Sequence, residues 1–96
     1  MTNNRHNTRK KVPWSGWAKA KPGTHERTIM LKRCGSKCFL GSKKSFPICR
    51  KNTCRIDRRG VYAAFVRSRQ HTSKNKKYKT ISKRAIKILK NNFGDM

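Results

Sequence analysis

Lysine and arginine supply 27 of the 96 residues, and only three acids, Glu26, Asp57 and Asp95, stand against them, a formal charge of +24. Charge of that size repels itself in any compact state. Only 33% of the residues are hydrophobic, so apolar burial needs help to close a fold. Help comes from crosslinks or a metal inside the chain, or from a polyanionic or acidic partner outside it. The length allows one small domain with basic extensions and no second core, which argues against a large enclosed enzyme pocket.

Cations spread from end to end are the footprint of a protein that meets phosphates, because each contact releases condensed counterions. Double-stranded DNA or another polyanion is the first expectation. Acidic protein surfaces come next and anionic membranes last. No apolar run is long enough to span a bilayer, so no transmembrane segment is expected. The opening MTNNRHNTRKKVPW has no apolar signal core, which places the chain in cytosol or nucleus unless it is packaged into a particle.

Four cysteines, Cys34, Cys38, Cys49 and Cys54, are confined to one stretch with the pattern Cys-x3-Cys-x10-Cys-x4-Cys. Two close pairs separated by a loop are the arrangement that a tetrahedral zinc site uses, although neither pair has the common Cys-x2-Cys spacing. Disulfides are the competing arrangement. They need Cβ atoms within roughly 4.5 Å, a distance that the cysteines flanking the RKNT turn could meet across a hairpin. The surrounding cations lower thiol pKa values and favour both outcomes equally. Spacing and a reducing compartment put zinc ahead of disulfides, with free thiols third.

Along the chain, residues 1–12 are polar, basic and aperiodic, which reads as an extended arm. Residues 13–24 carry Trp14 and Trp17 among prolines and glycines and read as an extended segment. The two tryptophans are candidates for covering the core or for anchoring a partner. Residues 25–70 form the cysteine-containing core with two helices. The first runs over about 25–34, with Thr24 as N-cap, Lys32 and Arg33 in the last turn and Gly35 after it. Short extended pieces with Ile48 and Ile56 suggest a hairpin over 46–57. The second helix spans 58–70 with Asp57 as N-cap. Val61, Tyr62, Phe65 and Val66 make its apolar face, and Arg58, Arg67 and Arg69 its basic one. A basic linker, 71–77, leads to a C-terminal amphipathic helix at 78–96, where Tyr78, Ile81, Ala85, Ile88, Leu89 and Phe93 recur at helical spacing up to Gly94. Lys79, Lys83, Lys87 and Lys90 line its other side.

Catalysis lacks parts. His6, His25 and His71 fall in an arm, at a helix start and in a linker, far from any nucleophilic pairing with a cysteine. Three unpaired carboxylates leave general acid–base and Mg²⁺ chemistry without a site, and no Gly-rich phosphate loop is present. A non-enzymatic protein with no small-molecule substrate is expected.

The blocks KRCGSKCFLG and GVYAAFVRSRQ, within the run from PWSGWAKAKPGTHERTIM to TCRIDRRGVYAAFVRSRQ, resemble small basic proteins of nucleocytoplasmic large DNA viruses, the chlorella-virus and giant-virus relatives. The resemblance covers about residues 13–70. It implies a structural virion component, a minor capsid or core protein, found in host cytoplasm or nucleus before packaging. Such viruses resemble one another in carrying a thiol oxidase and in using disulfides in particles assembled in the cytosol. That setting moves disulfides ahead of zinc, with no metal or cofactor favoured and one structural zinc as the alternative.

The expectation is therefore a small α-rich domain with little β, stapled by its cysteines and preceded by a basic extended arm. Its partners would be capsid or core proteins and double-stranded DNA, bound without base specificity. The expected polyanion contacts are Arg5, Arg9, Lys10, Lys11, Arg58, Arg59, Arg67, Arg69, Lys74, Lys76, Lys77, Lys79, Lys83, Lys87 and Lys90. The runner-up is a zinc-ribbon-like nucleic-acid-binding protein of regulatory or ribosomal type.

Overall fold

The computed structural model describes residues 12–94 and is helix-rich, with no strand among those residues. In chain order come α1 (Trp17–Ala20), α2 (Thr24–Cys34), a 3-10 turn (Gly35–Cys38), α3 (Arg58–Gln70) and α4 (Lys76–Phe93). Nearly all of the expected N-terminal arm, residues 1–11, lies outside the described residues, as do Asp95 and Met96.

Local chemistry sets the helix ends. Gly23 caps α2, and its N–H donates to the Glu26 carboxylate at 2.7 Å. A carboxylate three residues on thus reaches back to an orphan amide, and Thr24, expected as the cap, is instead the first helical residue. Gly35 ends α2 at φ 78°, a backbone region that glycine enters freely, and its N–H donates to Leu31 O. Asp57 caps α3 as expected, accepting from Arg59 N at 2.9 Å. Asn75 does the same for α4 through Lys77 N at 2.9 Å, so that helix starts at Lys76 and the linker shortens to 71–75.

Residues 13–24 are less extended than expected. Gly16, at φ 88°, turns the chain into α1, whose single turn drives Trp17 inward. The indole lies over Gly60 of α3, where a Cβ would come within 2.7 Å of Trp17 Cζ2 and Cη2. Only hydrogen at position 60 leaves room for the ring.

Two apolar clusters hold the molecule. The larger joins α3 and α4 through Val61, Ala64, Ile81, Ala85 and Leu89, and receives Leu40 and Ile48 from the loop between them and α2. The buried stripe of α3 is Gly60, Val61, Ala64 and Ser68. Of the expected face only Val61 is in it, while Tyr62, Phe65 and Val66 are half-buried. Ala64 shares a cluster with Ile81, Ala85 and Leu89 of α4, while Gly60 faces Trp17 and the Ile48 backbone, and the bulkier neighbours spread over the edges.

The smaller cluster is Met30, Cys38, Phe39 and Cys49, with Cys34 and Ile56 packed against it. Here the cysteines pair in nested order, Cys34 with Cys54 and Cys38 with Cys49, so Cys49 and Cys54, which flank the RKNT turn, do not bridge each other as a hairpin would allow. The expected hairpin shrinks to isolated bridges, Phe39 to Pro47 and Cys49 to Ile56. The ladder stops because residues 50–55 turn back, Asn52 at φ 62°, and Lys51 N donates to Ala20 O at 2.8 Å rather than across a strand pair. Crosslinks supply the restraint that a ladder would otherwise give.

Candidate polyanion interface

Lys76, Lys79, Lys83, Lys87 and Lys90 are all exposed on α4. At 100° per residue they fall within an arc of about 80°, and 1.5 Å of rise per residue makes the stripe about 21 Å long. The buried stripe of the same helix, Ile81, Ser82, Ala85 and Leu89, is on the opposite side. No carboxylate occurs anywhere in α4, so nothing within the helix neutralises the row. A stripe of that length spans about six base-pair rises along the axis of B-form DNA, which brings several backbone phosphates within its reach. Lys77 lies off the stripe, its Nζ 5.7 Å from the centre of the Tyr78 ring. Lys74 is exposed in the turn before α4.

The arginines of α3 do not make the single basic face expected of them. Arg58 and Arg69 share one flank, where their guanidinium groups lie over the Tyr62 and Phe65 rings at 5.1 and 5.5 Å. Helical pitch places Arg67 about 160–180° away from that pair. Arg59 is tied down by Asp57, with Nε to Oδ1 at 3.0 Å and Nη2 to Oδ2 at 2.8 Å. Hydrogen bonds from Arg59, its side chain first, hold the Asp57 carboxyl below the usual carboxylate range against the opposing effect of burial. Arg59 thus completes a helix cap before it has anything to offer a phosphate. Arg5, Arg9, Lys10 and Lys11 lie outside the described residues.

The two tryptophans part company. Trp17 is buried on Gly60 and covers the core, whereas Trp14 is half-buried at the edge of a cleft. Lys21 and Arg27 join Arg67 around that cleft, a grouping no local pattern foretells, because its members are scattered over nearly fifty positions. Arg50 and Lys51, on the turn inside the outer disulfide loop, and Arg55, just after it, are exposed and also escape a reading based on helical faces.

Both disulfides use the sulfurs that a zinc site would need as thiolates. Cys38 and Cys49 are fully buried at 0% exposure, so the inner bridge doubles as core packing. Cys34 and Cys54 are half-buried. Among the described residues no helix is long and apolar enough to cross a membrane. No family model matches the chain, and neither a curated protein nor a solved structure matches it.

Proposed function

We propose that the protein is a non-enzymatic structural component of a large DNA virus particle, a minor capsid or core protein. It acts as basic glue between capsid or core proteins and double-stranded DNA, without base specificity. The observation that carries this reading is the row of exposed lysines on α4, free of acids and turned away from the packing face of the helix. Such a row meets a regular array of phosphates at any sequence, since lysine is a mobile point charge and phosphate contacts carry no sequence information. The particle setting comes from the resemblance of KRCGSKCFLG and GVYAAFVRSRQ to virion proteins. Nested disulfides suit it, because a crosslinked scaffold keeps its shape under a charge of +24 while partners assemble around it.

Fractionation of purified particles tests the proposal. The protein is expected in the particle, released together with the genome under high salt, and bound equally to duplexes of unrelated sequence. Absence from particles overturns the structural role. Retention in emptied shells, with no affinity for duplex, overturns the DNA half and leaves a purely capsid-binding protein.

A further inference from the structure

A cleft of about 660 Å³ opens between the N-terminal segment, the loop before Cys49 and the facing ends of α3 and α4. Aromatic rings are prominent in its lining: Trp14, Phe46, His71 and Tyr78, with the buried Trp17. The rings are held in fixed relation. Phe46 meets Tyr78 edge to face at 5.9 Å between centroids, and His71 tilts against the same tyrosine at 5.5 Å. Lys21, Arg27 and Arg67 stand around the rings, and among the described residues no carboxylate lines the cleft. Arg27 is anchored by bonds from Nε to Pro22 O at 3.0 Å and from Nη1 to Lys44 O at 3.2 Å, which stiffen one wall.

We infer that this cleft takes unpaired nucleotides of a single-stranded nucleic acid. The inference rests on the polyanion-binding reading above and adds a second mode to it. Fixed aromatic faces accept any base by stacking, and cations at the rim take the phosphates on either side. The Gln70 amide, also in the lining, offers a donor and an acceptor to a base edge. A base inside a duplex is stacked and paired on both sides and cannot enter, so the cleft responds to single strands and the lysine stripe of α4 to both forms. Charge narrows the occupant to an anion: with three cations and no acid among the described residues that line it, the cleft repels the basic segments of this same chain and a second copy of it.

Tryptophan emission of the full, oxidised chain reports on the cleft, since both tryptophans line it, Trp14 half-buried and Trp17 buried, and the Trp14 variants separate their shares. The chain is titrated with oligothymidylate, oligouridylate and a duplex of equal nucleotide count at equal salt. Both single strands are expected to quench the emission, and the duplex to bind without quenching. Trp14→Ala is expected to weaken oligothymidylate binding about tenfold, the scale of one lost stacking partner, and to leave duplex affinity within about twofold. Trp14→Phe keeps a ring and is expected to retain most of the binding, and Arg67→Gln, at an exposed position, gives a loss that no misfolding explains. Equal losses for both forms in Trp14→Ala, or no preference of the wild type for single strands while the duplex still binds, overturn the cleft and spare the parent reading. Failure to bind either form overturns both. Stronger quenching by an aromatic, glutamate-rich peptide than by oligothymidylate of equal charge reassigns the cleft to a protein partner.

Discussion

The half of the molecule that ends at Asp57 and the helical hairpin that follows it reach order by different physics. In the hairpin, apolar periodicity brings α3 and α4 together around Val61, Ala64, Ala85 and Leu89. In the first half, α2 buries little more than Met30, and Ile29 and Leu31 are each 41% exposed. Cystine sulfur occupies the place that branched aliphatic side chains take in the hairpin. One half is thus folded by pattern and the other by crosslinks, with Leu40 and Ile48 stitching the two cores together. A chain too charged to build two adequate cores has built one and stapled the rest.

The largest test of that contrast removes the inner staple. The bridge from Cys38 to Cys49 closes a loop across a sequence separation of 11 and fills the small core. Cys38→Ala with Cys49→Ala is therefore expected to cost about 3–5 kcal/mol in urea unfolding, loop entropy plus lost packing. The corresponding change at Cys34 and Cys54 is expected to cost less, about 3 kcal/mol at most, because those sulfurs are half-buried. An inner loss below about 1 kcal/mol breaks the contrast, since the first half would then stand on its own packing. Partial reduction sharpens it: mass mapping of alkylated thiols is expected to find the outer pair opened first.

Gly60 tests the seam between the halves. Gly60→Ala sets a methyl group within 2.7 Å of the buried Trp17 ring and is expected to cost about 1–3 kcal/mol, although alanine is the better helix former. A stabilised variant would show that Trp17 is not seated where the contact places it.

The smallest expected effect lies at the start of α3. Asp57→Ala removes both the cap and the ion pair with Arg59, and about 1 kcal/mol is expected at neutral pH, most of it from the cap because the guanidinium remains partly in water. A carboxyl whose folded pKa is lowered stabilises the fold above the unfolded value, near 4, and loses that contribution as pH falls through the folded value. The gap between wild type and Asp57→Ala is expected to narrow below about pH 4. A gap that is constant down to the most acid point would mean that the carboxylate charge plays no part.

The two halves also differ in how far the sequence announces them. Asp57, Gly35 and Gly94 mark helix ends through bonds to their own neighbours, so a local reading finds them. Periodicity exposes the lysine stripe for the same reason, pitch being a local property. The face of α3 departs from expectation because its large apolar residues suggest one face, whereas the buried stripe is Gly60, Val61, Ala64 and Ser68, with Gly60 kept small by the Trp17 ring. Cysteine pairing is hidden for another reason: four cysteines allow three pairings, and the choice falls to a 3-10 turn that swings Cys38 inward after Gly35. Trp17 and Gly60 lie 43 positions apart, and nothing local to either announces the contact. The aromatic cleft is invisible for the same cause, because its rings and cations come from four separate segments.

The most direct test of the account is the salt dependence of duplex binding, compared between the wild type and the variant Lys79→Gln/Lys83→Gln/Lys87→Gln/Lys90→Gln. Each lysine that neutralises a phosphate contributes about 0.9 to the slope of log K against log salt, so the variant is expected to lose about 3–4 from that slope. Its helix content and disulfides are expected to be unchanged, since all four lysines are exposed and opposite the packing face. A slope equal to that of the wild type would contradict the account, because the stripe on α4 would then meet no phosphate.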